Sequence, residues 1–404
     1  MDNEKNLRGQ AILTINAGSS SIKFSLFLLP QLNQILVGQI DDIGGDARFT
    51  VRWHSDNNQV SLNWSKATPP KNHREALSEL INWLHRTANE IEIIAVGHRV
   101  VHGGQKYSAP VIITEKVMKD LEALMILAPL HEPHNLAGIK AAQESFGAIP
   151  QIACFDTAFH RTHSFVEDCY AIPRYFYDQG VCRYGFHGLS YEYIAEQLMT
   201  KFPSESRGKV IIAHLGNGAS MTALKGGVSI ASTMGFSSLD GLPMGTRCGE
   251  IDPGVLLYMM QREGLSANEI SEILYKESGL KGLSGGLSND MRTLEASTLT
   301  EAKEAIDYYV REVKREIGAL TALMAGLDVI VFTGGIGSNS VMIRERVLSE
   351  MSWIGIDLDR ESNRNGGTIV SSKASRVLCL RINTDEERVI ARHAFELTKQ
   401  MCDV

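Results

Sequence analysis

An α/β fold in two domains is predicted by three features of the chain. Apolar strand-type runs alternate with amphipathic helical patterns. Three of the strands run straight into turns of Gly, Asn and Ser, at residues 16–21, 216–220 and 334–337. The length, 404 residues, supplies about two or three domains and a core that needs no staples. The boundary is placed near Asp156.

The elements follow in order. "AILTINAGSSSIKFSLFLL" reads as a hairpin: residues 12–15, a small-residue turn, then residues 21–29. A polar stretch with Gly44-Gly45 and "HSDNNQ" reads as strands and loops. "NHREALSELINWLHRT" places Ala76, Leu77, Leu80, Ile81 and Leu84 at helical spacing. "IEIIAVGHRVVHGG" is a buried strand entering a loop. "TEKVMKDLEALMILAPLHEPHN" reads as a threonine-capped helix broken near Pro129 and Pro133. "KVIIAHLGNGASMTALKGG" echoes the opening: strand, Gly/Asn/Ser turn, strand. The helix of "EAKEAIDYYVREVKREIGALTALMAG" carries Ile306, Tyr309, Val313, Ile317, Leu320 and Met324 on one stripe. "DVIVFTGGIGSNSVMIRERVLSEM" reads as a buried strand, a Gly-rich turn and a helix capped near residues 338–340.

Composition narrows the function. Forty Lys+Arg against 47 Asp+Glu leave a net charge of −7, which argues against nucleic acid or an anionic membrane as partner. An anionic substrate must then be drawn by a few placed cations. Six scattered cysteines form no C-x-x-C pair, so they read as reduced thiols. The polar opening "MDNEKNLRGQ" has no apolar signal region, and no run approaches the ~18 apolar residues of a membrane span. A cytoplasmic protein is expected.

Gly-rich turns let backbone N–H groups close on phosphate oxygens, Ser hydroxyls add donors, and a lysine adds a point charge. "NAGSSSIK" with Lys23 therefore reads as a phosphate turn, against the plainer reading of a hairpin with small residues. It is not G-x-x-x-x-G-K-[ST], and "TGGIGSN" is not G-x-G-x-x-G, so neither a P-loop nor a dinucleotide fold is indicated. Three such turns together fit a nucleotide. Arg99 in "GHRVVHGG" and Arg247 in "GLPMGTRCGEIDPG" lie in Gly-dense loops. His131 and His187 lie in similar turns, where a lone histidine is commonly structural. "HEPH" is not H-E-x-x-H, which disfavours a zinc hydrolase on His131, Glu132 and His134. Asp156 ends the apolar strand "IPQIACF", at the strand end where α/β sites open. Glu386 lies at a helix start, with Thr384 and Glu387 spaced as a capping box.

"INAGSSSIKF", "GHRVVHGG", "LAPLHEPHN", "FDTAFH", "YGFHGLSYEY", "HLGNGAS", "DGLPMGTRCGEIDPG" and "FTGGIGSNS" occur in this order between residues 12 and 394. In sequence and order these motifs resemble the acetate kinase family. The resemblance implies a two-domain actin-like ATPase fold of the sugar kinase/Hsp70/actin type around a nucleotide cleft. The first domain spans residues 1–156, with the acyl-substrate contacts, and is completed by a C-terminal helix of about residues 387–404. The second spans 157–386, with nucleotide binding and the dimer interface. Also implied are a homodimer, ATP/ADP as co-substrate, and Mg2+ with Mn2+ as the alternative ion.

Carried over by motif, Ser19, Ser21 and Lys23 meet phosphate, and Asn16 and Glu386 help to hold the metal. His214, Leu215, Gly216, Asn217 and Gly218 form the second phosphate turn. Asp290, Met291, Arg292, Gly335, Ile336 and Gly337 surround the nucleoside. Asp156, Arg99, Arg247, His187 and His131 form the catalytic group; Arg99, Val101, Leu130 and Phe186 receive the acid. The implied reaction is direct in-line transfer from ATP to acetate. Ser237-Ser238-Leu239-Asp240-Gly241 replaces the family's T-P-L-E-G, which leaves propionate or a broader short-chain acid as the alternative substrate. Ser338 stands for the glutamate of G-I-G-E-N, Met291 for the aromatic residue of D-F-R, and "SGGLSNDMR" is one residue long. A nucleotide-driven switch ATPase is the alternative outside this class.

Overall fold

The computed structural model describes residues 8–18, 20–54, 59–63, 69–128 and 132–402, with backbone only at 59–63 and 402. The chain divides into two compact units, Met1–Phe159 with Asp385–Val404, and His160–Thr384.

The first unit is built on an eight-stranded mixed sheet in the order β5-β4-β3-β2-β1-β6-β8-β7. Its strands are β1 (Gly9–Ala17), β2 (Ile22–Leu28), β3 (Asn33–Asp41), β4 (Arg48–Trp53), β5 (Gln59–Asn63), β6 (Ile91–Val100), β7 (Val111–Ile112) and β8 (Gln151–Phe155). The opening hairpin is present: β1 and β2 pair antiparallel with Asn16 opposite Lys23, and Gly18 N–H closes the turn onto Ser21 O at 2.8 Å. β1 runs parallel to β6, and β6 parallel to β8, so three strand ends point the same way. Leu13, Ile15, Phe24, Leu26, Phe49, Leu77, Leu80 and Trp83 share one core cluster. Burial of each such side chain contributes roughly 1.5–3 kcal/mol. The helix His73–Thr87 is capped by Asn72 and turns Ala76, Leu77, Leu80, Ile81 and Leu84 inward.

The last helix, Glu386–Cys402, lies directly over β6. Gly97 makes this approach possible: a Cβ there would stand 2.5 Å from Ile390. The cap differs from the expected box. Arg388 N–H donates to Asp385 Oδ1 at 3.0 Å, while the Thr384 hydroxyl is buried without a hydrogen-bond partner among the described residues. A neighbouring carboxylate already fills the capping position.

The second unit holds a five-stranded sheet ordered β11-β10-β9-β12-β13. Its strands are β9 (Lys209–Leu215), β10 (Ala219–Lys225), β11 (Val228–Ser232), β12 (Val329–Thr333) and β13 (Leu378–Arg381). The sequence echo is real: β9, the turn and β10 form a second antiparallel hairpin, and β9 runs parallel to β12. All six residues of the stripe on the helix Thr300–Met324 are buried. Two local expectations are corrected. The "GGIGSN" segment is itself a short helix, Gly334–Asn339, because Gly334 takes a left-handed φ of 77° that turns the chain straight out of β12. Pro133 does not break a helix but begins one, Glu132–Phe146, since an early helical position has no N–H bond to lose.

Candidate active site

In the first unit, the parallel strand ends gather the charged groups. Arg99 is the penultimate residue of β6, and Asp156 follows β8 directly. Asp156 is 2% exposed. It accepts from Arg99 Nε at 3.0 Å and from Nη2 at 2.7 Å, a fork-on-carboxylate geometry. Arg99 Nη1 also lies 3.9 Å from Glu386. Burial would lower the affinity of Arg99 for its proton, yet the charges of Asp156 and Glu386 raise it, so the guanidinium is firmly cationic.

Asn16 ends β1, and Glu386 opens the helix above β6. Burial, then the charges of Glu386 and Asp385, push Glu387 up to about 6. Negative charge is thus concentrated at this helix start, as a dication would require. No group of three His, Cys, Asp or Glu shaped for a metal exists among the described residues. That donor set fits Mg2+, which takes one or two carboxylates and fills its shell with water and substrate phosphate. Ser19, Leu130 and His131 lie outside the described residues, so their sites have no geometry here.

Glu132 has no assigned role in the sequence reading. It is fully buried, and neither carboxyl oxygen makes a hydrogen bond among the described residues. Burial pushes it up to about 8; the nearby His102 amide lowers it and the Asp156 charge raises it further.

In the second unit, His187 precedes the helix Gly188–Lys201 with a left-handed φ of 58°. That backbone, rare outside glycine, aims the ring at the β9–β10 turn. Its Nδ1 meets Ser220 Oγ at 2.8 Å, and its ring stacks on His214 at 4.3 Å. Gly218 allows the approach, since a Cβ there would stand 3.1 Å from His187 Nε2. His214 is oriented by Ser190 Oγ at 2.8 Å. The turn is bound to the Arg247 loop through Gly245 N–H, which donates to Asn217 O at 3.0 Å. Arg247 Nη1 donates to the Ser238 carbonyl at 3.1 Å, so the segment that departs from the family pattern holds this guanidinium by its backbone. Asp240 in the same segment pairs with Arg183 at 3.1 Å.

Beside the turn opens a cavity of about 650 Å³. Gly216, Asn217, Asp290, Met291, Arg292, Gly335 and Ile336, all from the motifs singled out in the sequence, line it. Asn289, Glu295, Asn339 and Ser340 line it too and were not singled out; only their place beside the matched motifs could have indicated them. Gly337 is buried against β9 and β12 and does not line it. Asp290 caps the helix Met291–Ala296 and pairs with Arg292 at 2.5 Å. The turn's amides and this cavity can take the phosphates and nucleoside of one nucleotide.

Two sheet-and-helix units, each with a strand-turn hairpin, and a cavity roomy enough for a nucleoside belong to the actin-like ATPase fold, the fold of kinases that transfer phosphoryl groups to carboxylates. The chain belongs to the acetokinase family, whose model matches residues 11–392. It is 52% identical to the acetate kinase of Methylocella silvestris over 97% of this chain and 99% of that one. The Nitrobacter hamburgensis acetate kinase is 49% identical over 96% of both. Among solved structures, Porphyromonas gingivalis acetate kinase matches with a TM-score of 0.87 at 35% identity, covering 96% of this chain and 100% of that chain. A propionate kinase from Francisella tularensis matches with a TM-score of 0.89 at 35% identity, covering 96% and 99%. No helix of the described residues is long and apolar enough to cross a membrane.

Proposed function

We propose that this chain is an ATP:acetate phosphotransferase, catalysing ATP + acetate ⇌ acetyl phosphate + ADP. The family match over residues 11–392 carries the reading, and the forked Arg99–Asp156 pair and the His187-backed phosphate turn support it. One bond forms, from an acetate oxygen to the γ-phosphorus, and one breaks, between that phosphorus and the β–γ bridging oxygen, whose electron pair leaves with ADP.

Acetate is already ionised at pH 7, its pKa being roughly 4–5, so no residue need take its proton. The obstacle is repulsion between two anions, and fixed cations offset it. Arg99 receives the carboxylate; Asp156 holds Arg99 in its forked pose. Arg247 and His187 stabilise charge spread over the transferring phosphoryl oxygens. Lys23, Ser21 and Ser19 meet phosphate from the first turn; His131 completes the catalytic group. Val101, Leu130 and Phe186 bound the acyl group. His214, Leu215, Gly216, Asn217 and Gly218 hold the nucleotide's phosphates, and residues 290–292 with Gly335 and Ile336 the nucleoside. Asn16 and Glu386 would hold Mg2+, which supplies charge neutralisation across the phosphates. Asp156 would further orient the water around that ion.

The first unit carries the acyl contacts Arg99, Val101 and Leu130 and the first phosphate turn, and the second carries Phe186, the nucleoside cavity and the dimer contact. The dimer reading is supported by the helix Pro253–Gln261, which buries no residue and exposes Val255, Leu257, Tyr258 and Met260. A cytoplasmic location suits the described Cys154, Cys169, Cys182, Cys248 and Cys379, which form no disulfide with one another. Propionate remains the second reading, favoured by Ser238 and by the Francisella structure. One methylene in an apolar pocket is worth only ~1–3 kcal/mol. Trapping acyl phosphate as hydroxamate with two- to four-carbon acids, with ATP or GTP, tests the assignment: acetate should give the highest kcat/KM. ADP release without any acid dependence would instead mark a switch ATPase.

A further inference from the structure

β1 and β6 pair in parallel only as far as Ile15 and His98. β6 stays on β8 to the pair Val100–Phe155, so β1 and β6 part just where the phosphate turn and the Arg99 segment begin. Two backbone groups are left facing a gap in the sheet: the Ala17 carbonyl, beyond Asn16, and the Val101 amide, beyond Arg99. Buried backbone groups left unpaired are costly.

One side chain satisfies both. Asn135, in the first turn of the helix Glu132–Phe146, is 4% exposed. Its Nδ2 donates to Ala17 O at 2.8 Å, and its Oδ1 accepts from Val101 N–H at 3.0 Å. The primary amide thus stands in for a missing peptide unit of the ladder. The helix is pressed close by Gly138, where a Cβ would lie 2.8 Å from that of Ala17. His73 Nε2 fixes the next carbonyl, Gly18 O, at 2.6 Å. Ile43 N–H holds the turn as well, at Ser20 O, but among the described residues it is the Asn135 side chain that bonds both the turn and the Arg99 strand.

We infer that Asn135 is a positioning residue that sets the separation between the first phosphate turn and the Arg99–Val101 strand end. This inference rests on the proposed transfer to a short acid, because those two segments then seat the phosphoryl donor and the acceptor. Asn suits the task and its isosteres do not. Aspartate accepts from Val101 but cannot donate to Ala17 while ionised; leucine does neither; glutamine overreaches by about one methylene. A shift of about 1 Å between reacting groups costs on the order of 100-fold in rate.

The test compares Asn135→Asp and Asn135→Ala with the unaltered full chain. Turnover is expressed per ADP-binding site counted by equilibrium binding, which removes any misfolded fraction; the nucleoside cavity is lined by residues of the second unit, whereas Asn135 belongs to the first. We expect kcat per site to fall 10- to 100-fold in both variants, with KM for ATP within about threefold. The preference for acetate over butyrate should narrow, because Val101 loses its anchor. If Asn135→Ala fails to fold, the isosteric Asn135→Asp decides alone. An Asn135→Asp enzyme within about twofold of the original in kcat per site overturns the inference. So does a loss carried wholly by KM, or one fully explained by fewer ADP sites. An unaltered enzyme that makes no acyl phosphate would fail the functional reading first and take this inference with it.

Discussion

Asp156 grips Arg99 by two nitrogens, Nε to Oδ1 at 3.0 Å and Nη2 to Oδ2 at 2.7 Å, from a carboxylate that is almost wholly buried. The remaining nitrogen, Nη1, is turned toward Glu386 at 3.9 Å. A buried pair of this kind stabilises little beyond its own desolvation cost, but removing one partner strands the other and costs about 3–5 kcal/mol. Its value lies in direction: the guanidinium plane is fixed before substrate arrives.

Asp156→Asn should therefore lose activity mainly in kcat, on the order of 100-fold or more, with altered Mg2+ dependence and only a modest change in ATP KM. The check is a pH–rate profile to pH 9. Full rescue at high pH would mean that Asp156 takes a proton from substrate, and the orienting role would be wrong.

Arg247 is held by the Ser238 carbonyl at 3.1 Å. Arg247→Ala should lose on the order of 10²–10³ in kcat, with a smaller effect on nucleotide KM, because it serves the transition state. Arg247→Lys should restore little, since an ammonium cannot reproduce the planar fork. Unchanged kcat with raised ATP KM would count against the role.

Gly245 meets the second phosphate turn where a Cβ would stand 2.1 Å from Asn217 Oδ1 and 3.2 Å from Asn289 O. Gly245→Ala must push the Asn217 side chain aside and strain two lining segments of the cavity at once. We expect ATP KM to rise about tenfold, on the scale of ~1.4 kcal/mol lost in binding, with acetate KM little changed. Isothermal titration with ADP measures it directly; an unaltered ADP affinity would contradict the geometry.

Glu132 gives a pH dependence of stability. Its carboxyl is raised from 4.5 to about 8 by burial. Between those values the unfolded chain has released a proton that the folded chain keeps, so stability falls as pH rises through this window. The full effect is on the order of 3–5 kcal/mol: this stability is whole below about pH 4 and lost by about pH 8. Glu132→Gln should flatten the slope of unfolding free energy between pH 5 and 8.5 and stabilise the protein at the alkaline end. A slope identical to that of the original chain would show that another group is responsible.

Much of this site is legible in the sequence because its parts are local. The hairpins around residues 16–21 and 216–220, the stripe from Ile306 to Met324, and the strand-end place of Asp156 follow from short-range pattern and turn chemistry. What escapes the sequence depends on pairs far apart in the chain. Asn135 meets Ala17 and Val101 only because three elements converge. Burial of Glu132 depends on packing that no local pattern reports. Thr384 and Glu387 have the spacing of a capping box, yet Asp385 occupies the cap. The glycines after β12 read as a turn, but one left-handed residue, Gly334, lets the rest continue as helix.

The most direct test of the central claim follows ADP and acetyl phosphate together, by 31P NMR, in a mixture of the protein, ATP, Mg2+ and increasing acetate. The account predicts that ADP release depends on acetate, saturates with it, and is matched mole for mole by acetyl phosphate. ADP release that proceeds at the same rate without acetate, leaving inorganic phosphate as its partner, would contradict it.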